Sequence, residues 1–367
     1  MVDIEGRRAL IALAAGGTGG HMFPAESLAE EMKRRGWRVL LFTDERGMRF
    51  GESFPADEIV TLQAANPNVP GAIAKASAAL AMTGGMITAL QAYRKHKPSI
   101  AVGFGGYPSA PAMVGARIMK VPYGVHEQNA VIGRVNRLVA PQASFVAHAF
   151  PMLERLPIGM KGEVIETGNP VRDAIRAVAS SPYPDATGRL NLLVFGGSQG
   201  ASLFSRIVPD ALAALPEELR QRLSVTQQVR DEEKEQVAAT YQGAGIEADL
   251  APFFKDIPDR LTAAHLVIAR SGASSVTELA TVGRPSILVP LGIAMDDHQT
   301  GNASVLVGAG GADMIPEGKF KAETLSTRLA ELLTDPGRLA QMAAAASTIA
   351  PEQAVSRLAD IVTRLAR

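Results

Sequence analysis

Two glycine-rich turns carry the groups in this chain that are best suited to chemistry. The first turn, residues 16–21, follows an apolar run at 9–14, and the second, residues 196–201, follows an apolar run at 192–195. Because glycine lacks a Cβ atom, backbone N–H groups at such turns can approach an anion, and a helix that starts there adds the positive end of its dipole. The two turns predict two phosphate-binding sites, one for a donor and one for an acceptor.

One side chain of the first turn can take up a proton near neutral pH. His21 is therefore a candidate general base, and the alternative is a helix-terminal residue that bonds to the backbone. Asp296, Asp297 and His298 resemble a partial metal site, but no further His or Asp stands at ligand spacing. The chain also lacks an Asp-x-Asp motif. We expect neither a metal nor any other cofactor.

The turns need a framework that alternates strands with helices. Predicted helices cover 24–35 and 71–97, the latter broken at Gly84-Gly85, and a last helix begins after Pro351. The predicted strands are 9–14, 38–43, 99–104, 123–125, 164–166, one that starts at Leu190, 223–227, 266–269 and 286–289. This alternation predicts two doubly wound parallel sheets. We expect the junction near 169–172, followed by a connector at 176–188.

Composition limits the class of protein. The chain has 367 residues, enough for two domains with separate cores, and its 35 Gly and 23 Pro are typical of an α/β protein with tight loops. It has no Cys, which excludes disulfides, thiolate metal sites and a thiol nucleophile. No apolar run approaches the ~20 residues that span a bilayer, and the first eight residues are unlike a signal peptide.

A net charge of zero conceals an asymmetric distribution. Between Ile59 and Pro151 the single acidic residue is Glu127, whereas the basic residues are Lys75, Arg94, Lys95, Lys97, Arg117, Lys120, Arg134 and Arg137. Such a field predicts an anionic partner: lipid head groups, a pyrophosphate or nucleic acid. A lone acid in this field is a candidate site residue, and the alternative is an ion pair between Glu127 and Arg134.

The segment 71–86 is a candidate membrane-contacting surface. An apolar stripe there can consist of Ile73, Leu80, Met82 and Met86, and Lys75 with the basic residues at 94–97 can contact anionic head groups. Ordinary core packing is the alternative interpretation.

Seven short motifs, in register from residue 9 to about 310, resemble those of the MurG family of transferases. They are Gly-Gly-Thr-Gly-Gly-His at 16–21, Gly-Gly-Tyr-Pro-Ser at 105–109, His-Glu-Gln-Asn at 126–129, Gly-Asn-Pro-Val-Arg at 168–172, Gly-Gly-Ser-Gln-Gly-Ala at 196–201, Arg-Ser-Gly-Ala at 270–273 with Glu278, and Asp-His-Gln at 297–299 with Asn302. The family transfers N-acetylglucosamine from its UDP conjugate to lipid-linked N-acetylmuramic acid in peptidoglycan synthesis.

The resemblance implies an α/β protein of the GT-B fold, with two Rossmann-like domains of doubly wound parallel sheet that face each other across a cleft. Residues 1–170, joined by the C-terminal helix 351–367, are the expected acceptor and membrane domain. Residues 171–350 are the expected donor domain.

The resemblance also implies a role for individual residues on the donor side. Ser198 would bond the diphosphate, Arg172 would offset its charge, and Glu278 would accept from the ribose hydroxyls. The backbone of Phe254 would recognise uracil, and Gln299 would contact the sugar. The full donor set is Thr18, Gly19, Asn129, Arg172, Ser198, Gln199, Phe254, Glu278, Gln299 and Asn302. The residues alone leave other interpretations open: a surface Arg172, a helix-surface or capping Glu278, and Phe253-Phe254 as core aromatics.

On the acceptor side the resemblance implies binding by Thr18, His21, Tyr107 and His126, with His21 as the base and Glu127 as the next candidate. Many family members carry an acid where this chain has Met22, so we assign no catalytic role there. The expected reaction is inverting and metal-independent. Expected partners are UDP-N-acetylglucosamine, undecaprenyl-pyrophosphoryl-MurNAc-pentapeptide, an anionic membrane surface at the cytoplasmic face of the bacterial inner membrane, and a cell-wall synthesis complex, but not nucleic acid.

Three other functions compete with this interpretation. An NAD-dependent oxidoreductase would use the first glycine turn and Asp44 at the end of the second strand, but Met22 stands where its third glycine belongs. A UDP-sugar epimerase of the GT-B fold would act without a lipid acceptor. A non-catalytic, membrane-bound UDP-sugar binder would show no turnover.

Overall fold

The structure is a computed structural model, and it describes residues 8–50, 53–64, 71–179, 181–196, 202–292 and 295–366. These residues form two compact units. The first contains the described residues up to Arg172 together with those from Pro351 onward, and the second is Asp173–Ala350. Arg172, expected in the second domain, therefore packs in the first unit.

The first unit is a parallel sheet of seven strands, in the order β3-β2-β1-β4-β5-β6-β7. Its strands are β1 Leu10–Ala14, β2 Arg38–Thr43, β3 Glu58–Thr61, β4 Ile100–Gly103, β5 Tyr123–Glu127, β6 Phe145–His148 and β7 Glu163–Glu166. Its helices before the junction are α1 Gly19–Arg34, α2 Ala72–His96, α3 Ser109–Ile118 and α4 Arg134–Val139, with short 3-10 turns at Gly47–Phe50 and Ala140–Gln142.

The central strand β1 explains why this sheet is buried on both faces. Successive side chains of a strand point to opposite faces. Ile11 and Leu13 accordingly pack with α1 on one face, whereas Leu10 and Ala12 pack with residues of α2 and α3 on the other. An uninterrupted apolar run is therefore the pattern of a central parallel strand.

The second unit repeats the design with six parallel strands, in the order β10-β9-β8-β11-β12-β13. The strands are β8 Leu190–Phe195, β9 Leu223–Gln228, β10 Glu247–Ala251, β11 Leu266–Ala269, β12 Ser286–Leu288 and β13 Ala312–Met314. The helices are α5 Asp173–Ala177, α6 Ser202–Ala213, α7 Glu217–Arg220, α8 Asp231–Gly243, α9 Ile257–Ala263, α10 Ala273–Val282, α11 His298–Gly308, α12 Ala322–Leu333 and α13 Pro336–Ser347, with 3-10 turns at Met295–Asp297 and Glu317–Lys319.

The last helix, α14 (Ala354–Leu365), packs in the first unit. Leu358 and Val362 are fully buried in the core that contains Leu28 of α1. Two exposed ion pairs accompany this packing. Arg35 lies 2.6 Å from Asp360, and Arg364 lies 2.7 Å from Glu163. The core of the first unit therefore includes residues from both ends of the sequence.

Two predicted helix boundaries are wrong. The first helix begins at Gly19 rather than at Pro24, which lies inside α1. The predicted break at Gly84-Gly85 does not occur, because α2 is continuous. A Cβ atom on Gly85 would stand 2.2 Å from the backbone oxygen of Gln63. Glycine at this position therefore permits a close approach to a neighbouring segment and does not end the helix.

Candidate active site

The first candidate site lies where the order of the first sheet reverses. Strand β1 pairs with β2 on one side and with β4 on the other. The loops that leave the carboxyl ends of β1 and β4 therefore diverge, and such switch points are where open α/β sheets bind ligands. The loop after β1 is the first glycine turn, and the loop after β4 contains Gly105 and Gly106.

His21 lies in the first turn of α1 with a defined orientation. Its Nδ1 atom is 3.0 Å from the carbonyl oxygen of Gly16. A carbonyl oxygen only accepts, so Nδ1 carries the proton and donates it, and Nε2 is the basic nitrogen of the neutral ring. The side chain is half-buried. This geometry selects the tautomer that a general base needs.

The second loop of this site approaches His21 and the first turn closely. A Cβ atom on Gly105 would stand 3.2 Å from His21 Nε2, and one on Gly106 would stand 2.7 Å from Gly16 O. Both glycines have positive φ angles, 93° and 77°. Thr18 follows Gly17 in the first turn, Tyr107 follows Gly106, and both side chains are half-buried. Gly19 is buried against the ring of Phe23.

Asp44, which an oxidoreductase would use for a ribose, braces the first turn instead. Its buried Oδ1 atom accepts from Gly17 N at 3.2 Å and from Gly47 N at 2.8 Å. Its Oδ2 atom lies 3.0 Å from the guanidinium of Arg46. This carboxylate stabilises the conformation of the turn. Its hydrogen bonds therefore argue against Asp44 as a ribose-binding residue of a dinucleotide site.

His126 does not reach the surface, which argues against the contact with the acceptor that was predicted for it. It lies in β5 rather than in a loop and is fully buried. Its Nε2 atom is 3.0 Å from the backbone oxygen of Gly168, and its Nδ1 atom is 3.1 Å from Gln128 Nε2. Burial lowers the pKa of His126 to about 4. The ring is a neutral crosslink between β5 and the segment that follows β7.

Glu127 is buried as well, and its carboxylate is occupied by four hydrogen bonds. Oε1 accepts from the backbone N and the side-chain Nδ2 of Asn129, at 3.0 and 3.1 Å. Oε2 accepts from Gly133 N and Asn136 Nδ2, both at 2.9 Å. These bonds argue against the catalytic role predicted for Glu127 and assign it to the support of residues 129–136. Asn129 takes part in the same support through its two bonds to Glu127. Its predicted contact with the donor stays a prediction.

Asn136 is a residue of this site that the sequence did not single out. It is buried, donates to Glu127 and to the backbone oxygen of His126, and lies 3.7 Å from the Cβ position of Gly105. That position also adjoins His21 Nε2. Asn136 thus links the Glu127 network to the loop that surrounds the imidazole.

Arg172 packs at the end of the first unit. The carbon at the centre of its guanidinium stands 4.5 Å from the centroid of the Phe23 ring, a cation–π arrangement that orients the group on α1. Phe23 itself lies two residues after His21. The structure therefore brings Arg172 to the same end of α1 as the imidazole.

The second candidate site lies at the switch point of the second sheet, where β8 pairs with β9 and β11. The turn after β8 was predicted to bind diphosphate through Ser198 and Gln199, and both fall outside the described residues. Gly196, at the end of β8, donates to Gln228 Oε1 at 3.1 Å. Gln228 Nε2 donates in turn to the backbone oxygen of Pro252 at 3.0 Å.

The loops after β11 and β12 are tied together by a compact set of bonds. Ser271 Oγ donates to the backbone oxygen of Gln299 at 2.8 Å, and Leu291 N donates to Gln299 Oε1 at 3.0 Å. Asn302 is fully buried and donates to Ser271 O at 3.1 Å, so it supports these loops, and its predicted donor contact stays a prediction. Glu278 lies on α10 and is only 6% exposed. This burial argues against the alternative interpretation of Glu278 as a residue of the helix surface.

Phe253 and Phe254 were interpreted either as part of a uracil-binding loop or as two core aromatics, and the two side chains differ in burial. Phe254 is buried, with the guanidinium carbon of Arg260 4.1 Å from its ring centroid, whereas Phe253 is 68% exposed. The side chain of Phe254 thus anchors the loop in the core, whereas Phe253 is exposed.

Arg270 and Glu317 form a further link that the sequence did not indicate. Arg270 donates to Glu317 Oε2 at 2.9 Å, and Gly292 N donates to the same oxygen at 2.9 Å. The bond from Gly292 and the charge of Arg270 lower the pKa of Glu317. Glu317 therefore fixes the loop after β12 to the loop after β11.

Comparison with known proteins agrees with this geometry. Residues 11–148 match the glycosyltransferase family 28 N-terminal domain, and residues 191–365 match the family 28 C-terminal domain. The chain is 48% identical over 357 residues to the UDP-N-acetylglucosamine–N-acetylmuramyl-(pentapeptide) pyrophosphoryl-undecaprenol N-acetylglucosamine transferase of Phenylobacterium zucineum, which covers 97% of this chain and 98% of the relative.

Two solved structures illustrate the fold. MurG of Acinetobacter baumannii is 28% identical with a TM-score of 0.79, covering 97% of this chain and 99% of that one. A UDP-GlcNAc 2-epimerase of Neisseria meningitidis is similar in fold alone, at 13% identity and a TM-score of 0.66 over 97% of this chain and 100% of that one. The sequence relationship favours the transferase over the epimerase, oxidoreductase and non-catalytic alternatives. The chain is a glycosyltransferase of the GT-B fold and belongs to the MurG family within glycosyltransferase family 28.

Proposed function

We propose that this protein transfers N-acetylglucosamine from UDP-N-acetylglucosamine to the C4 hydroxyl of undecaprenyl-pyrophosphoryl-MurNAc-pentapeptide. The observation that carries the proposal is the bond from His21 Nδ1 to Gly16 O, which makes Nε2 the basic nitrogen at a sheet switch point. The substrates follow from the names of the relatives at 48% identity. The protein would thus complete the disaccharide unit of peptidoglycan.

In this reaction His21 Nε2 removes the proton of the C4 hydroxyl while the oxygen attacks C1 of the donor sugar. The bond between C1 and the phosphate oxygen breaks, UDP leaves with the electron pair, and the configuration at C1 inverts. A positioned general base of this kind contributes about 10²–10⁴-fold. Glu127 acts indirectly, through its hydrogen bonds to residues 129–136. Thr18 and Tyr107 bind the acceptor.

On the donor side we propose that Glu278, Gln299 and the loop at Phe254 hold the nucleotide sugar. Ser198, Gln199 and Arg172 would bind the diphosphate, whose negative charge grows as the leaving group departs. Backbone N–H groups and a guanidinium supply that stabilisation, so the chemistry is proposed to need no metal ion.

We also propose that the protein binds the cytoplasmic face of the inner membrane peripherally. Within the described residues, no helix has the length and apolar character to cross a bilayer. Helix α2 exposes Leu80 and Ile87, at 73% and 53%, and Arg94 is exposed further along it. Met82 and Met86 of the predicted stripe are half-buried, and the side chains of Ile73 and Lys75 lie outside the described residues. Apolar residues flanked by cations fit an anionic lipid surface.

The deciding experiment measures transfer of labelled N-acetylglucosamine from UDP to a soluble lipid I analogue in the presence of EDTA. We expect a lipid-linked disaccharide with inverted linkage. Release of free sugar without acceptor would indicate an epimerase, and UDP-sugar binding without turnover would indicate a binding protein. For the membrane, cosedimentation with anionic vesicles should fall in a Leu80→Ser/Ile87→Ser variant, and equal sedimentation would contradict this surface.

A further inference from the structure

One glutamine side chain connects the ends of three adjacent strands in the second unit. Gln228 closes β9, and β9 lies between β8 and β10 in the sheet. Its amide oxygen accepts from Gly196 N just after β8, and its amide nitrogen donates to Pro252 O just after β10. Both polar atoms of the amide are therefore used, and Gln228 fixes the start of the loop 252–256 to the central strand.

A second side chain fixes the same loop from the following helix. Arg260 of α9 stacks on Phe254 at 4.1 Å, donates to Asp256 Oδ1 at 2.8 Å and donates to Asp249 Oδ2 at 2.6 Å. A planar guanidinium can do all three at once, which an ammonium group cannot. Burial lowers the pKa of Arg260, but the hydrogen bonds to Asp256 and Asp249 and the charges of these carboxylates together outweigh burial and raise it above its ordinary value.

The space around Arg260 makes its contribution hard to replace. Together with Thr226, Asp259 and Ala263, it lines a cavity of about 320 Å³. Removal of the guanidinium would enlarge this cavity and would take away the group that stacks on the Phe254 ring. Between the two fixed points, Pro252 O and the Phe254 ring, the exposed residue is Phe253.

We propose that Gln228 and Arg260 are positioning residues that hold the loop 252–254 rigid for recognition of the nucleotide base. The inference rests on the proposed function, in which the backbone at Phe254 contacts uracil. Uracil and cytosine differ by an exchange of donor and acceptor at adjacent ring positions, so backbone groups distinguish them only while their direction is fixed. A loop ordered before binding also avoids the entropy cost of ordering on binding.

The test measures the dissociation constants of UDP and CDP for the full-length protein and four variants by calorimetry. Gln228→Met keeps the side-chain length but removes both hydrogen bonds, and Arg260→Lys keeps the charge but removes the planar stack. Gln236→Met on α8 and Arg230→Lys are the matched controls, because both residues are exposed. UDP binding should weaken on the order of tenfold in each loop variant. The preference for UDP over CDP should fall by a similar factor, and the controls should match the wild type.

The ratio of the two dissociation constants separates positioning from general destabilisation. A variant that is merely less stable melts at a lower temperature but keeps the wild-type ratio when folded, and that result would overturn the inference. If Gln228→Met does not fold, Gln228→Asn, which is one methylene too short to span both partners, must show the same loss of discrimination. Failure of the wild-type protein to bind UDP at all would instead contradict the proposed function.

Discussion

His21 Nδ1 and the carbonyl oxygen of Gly16 are joined by a 3.0 Å hydrogen bond that closes the first glycine turn on itself. The same bond defines the tautomer of the imidazole, because the proton on Nδ1 excludes one on Nε2 in the neutral ring. The conformation of the turn and the basicity of Nε2 are therefore properties of one local structure, and substitutions in either should affect catalysis.

Replacing His21 by Ala should lower kcat by about 10²–10⁴-fold, because the proton of the attacking hydroxyl then has no positioned acceptor. Both KM values should change much less. Steady-state kinetics with a soluble acceptor analogue measure this, with His96→Ala, a histidine that contacts Glu58 in the same unit, as the control. If kcat falls by less than about tenfold in folded protein, His21 is not the base.

Gly105→Ala should lower kcat by displacing the imidazole, since the new Cβ atom would stand 3.2 Å from Nε2. The positive φ of 93° adds backbone strain of about 1–2 kcal/mol. Gly36→Ala is a matched control, because Gly36 has a φ of 84° and nothing within 4 Å of its Cβ position. Thermal unfolding should shift similarly in both variants, whereas only Gly105→Ala should lose activity. Equal activity in the two would contradict the contact with His21.

Glu127→Gln should destabilise the first unit by about 2–4 kcal/mol, because an amide nitrogen would then face donors from the loop at 129–136. Denaturant titration, followed through the fluorescence of the chain's single tryptophan, Trp37, reports on this unit directly. A catalytic base would behave in the opposite way. If the unfolding midpoint stayed at the wild-type value while kcat fell by 10²-fold or more, Glu127 would belong to the reaction itself.

Acid should destabilise the first unit through His126. Its pKa is about 4 when folded, against 6.5 as the reference value, so between these values the unfolded chain binds the extra proton. Stability is therefore complete above pH 6.5 and declines as the pH falls toward 4, by roughly 1 kcal/mol per pH unit. Trp37 unfolding curves at several pH values measure the slope. His126→Gln should flatten it, and an unchanged slope in that variant would show that other groups cause the acid sensitivity.

Local patterns predicted the central strands next to the switch points and one edge strand, β7, but they missed the edge strands β3, β10 and β13. Strands β1, β8 and β11 each contain an uninterrupted apolar run, which is readily detected in the sequence. Strands β3 and β10 begin with Glu58 and Glu247 and are partly exposed, so they lack the apolar run that marks a buried strand. The short strand β6 escaped as well, and it is β6 that pairs with His126 and Glu127 and draws both into the sheet.

The roles of the site residues were harder to predict than their positions. Glu127 was singled out as the one acid in a basic segment, yet only the fold shows that Gly133 N and Asn136 Nδ2 occupy its carboxylate. Asn136 and Gln228 belong to no local sequence motif, because the role of an amide side chain depends on its hydrogen-bond partners on other elements. The donor contacts of Glu278, Gln299 and Ser198 stay predictions.

Helix α14 has a consequence for how the protein is made. The last part of the first unit to leave the ribosome follows the whole second unit, so Asp173–Ala350 can fold while the first unit still lacks Leu358 and Val362 from its core. During that interval the apolar face of α1 that these two residues cover stays exposed to water. Docking of α14 into the first unit therefore follows synthesis of the whole second unit, and until then the core of the first unit is incomplete.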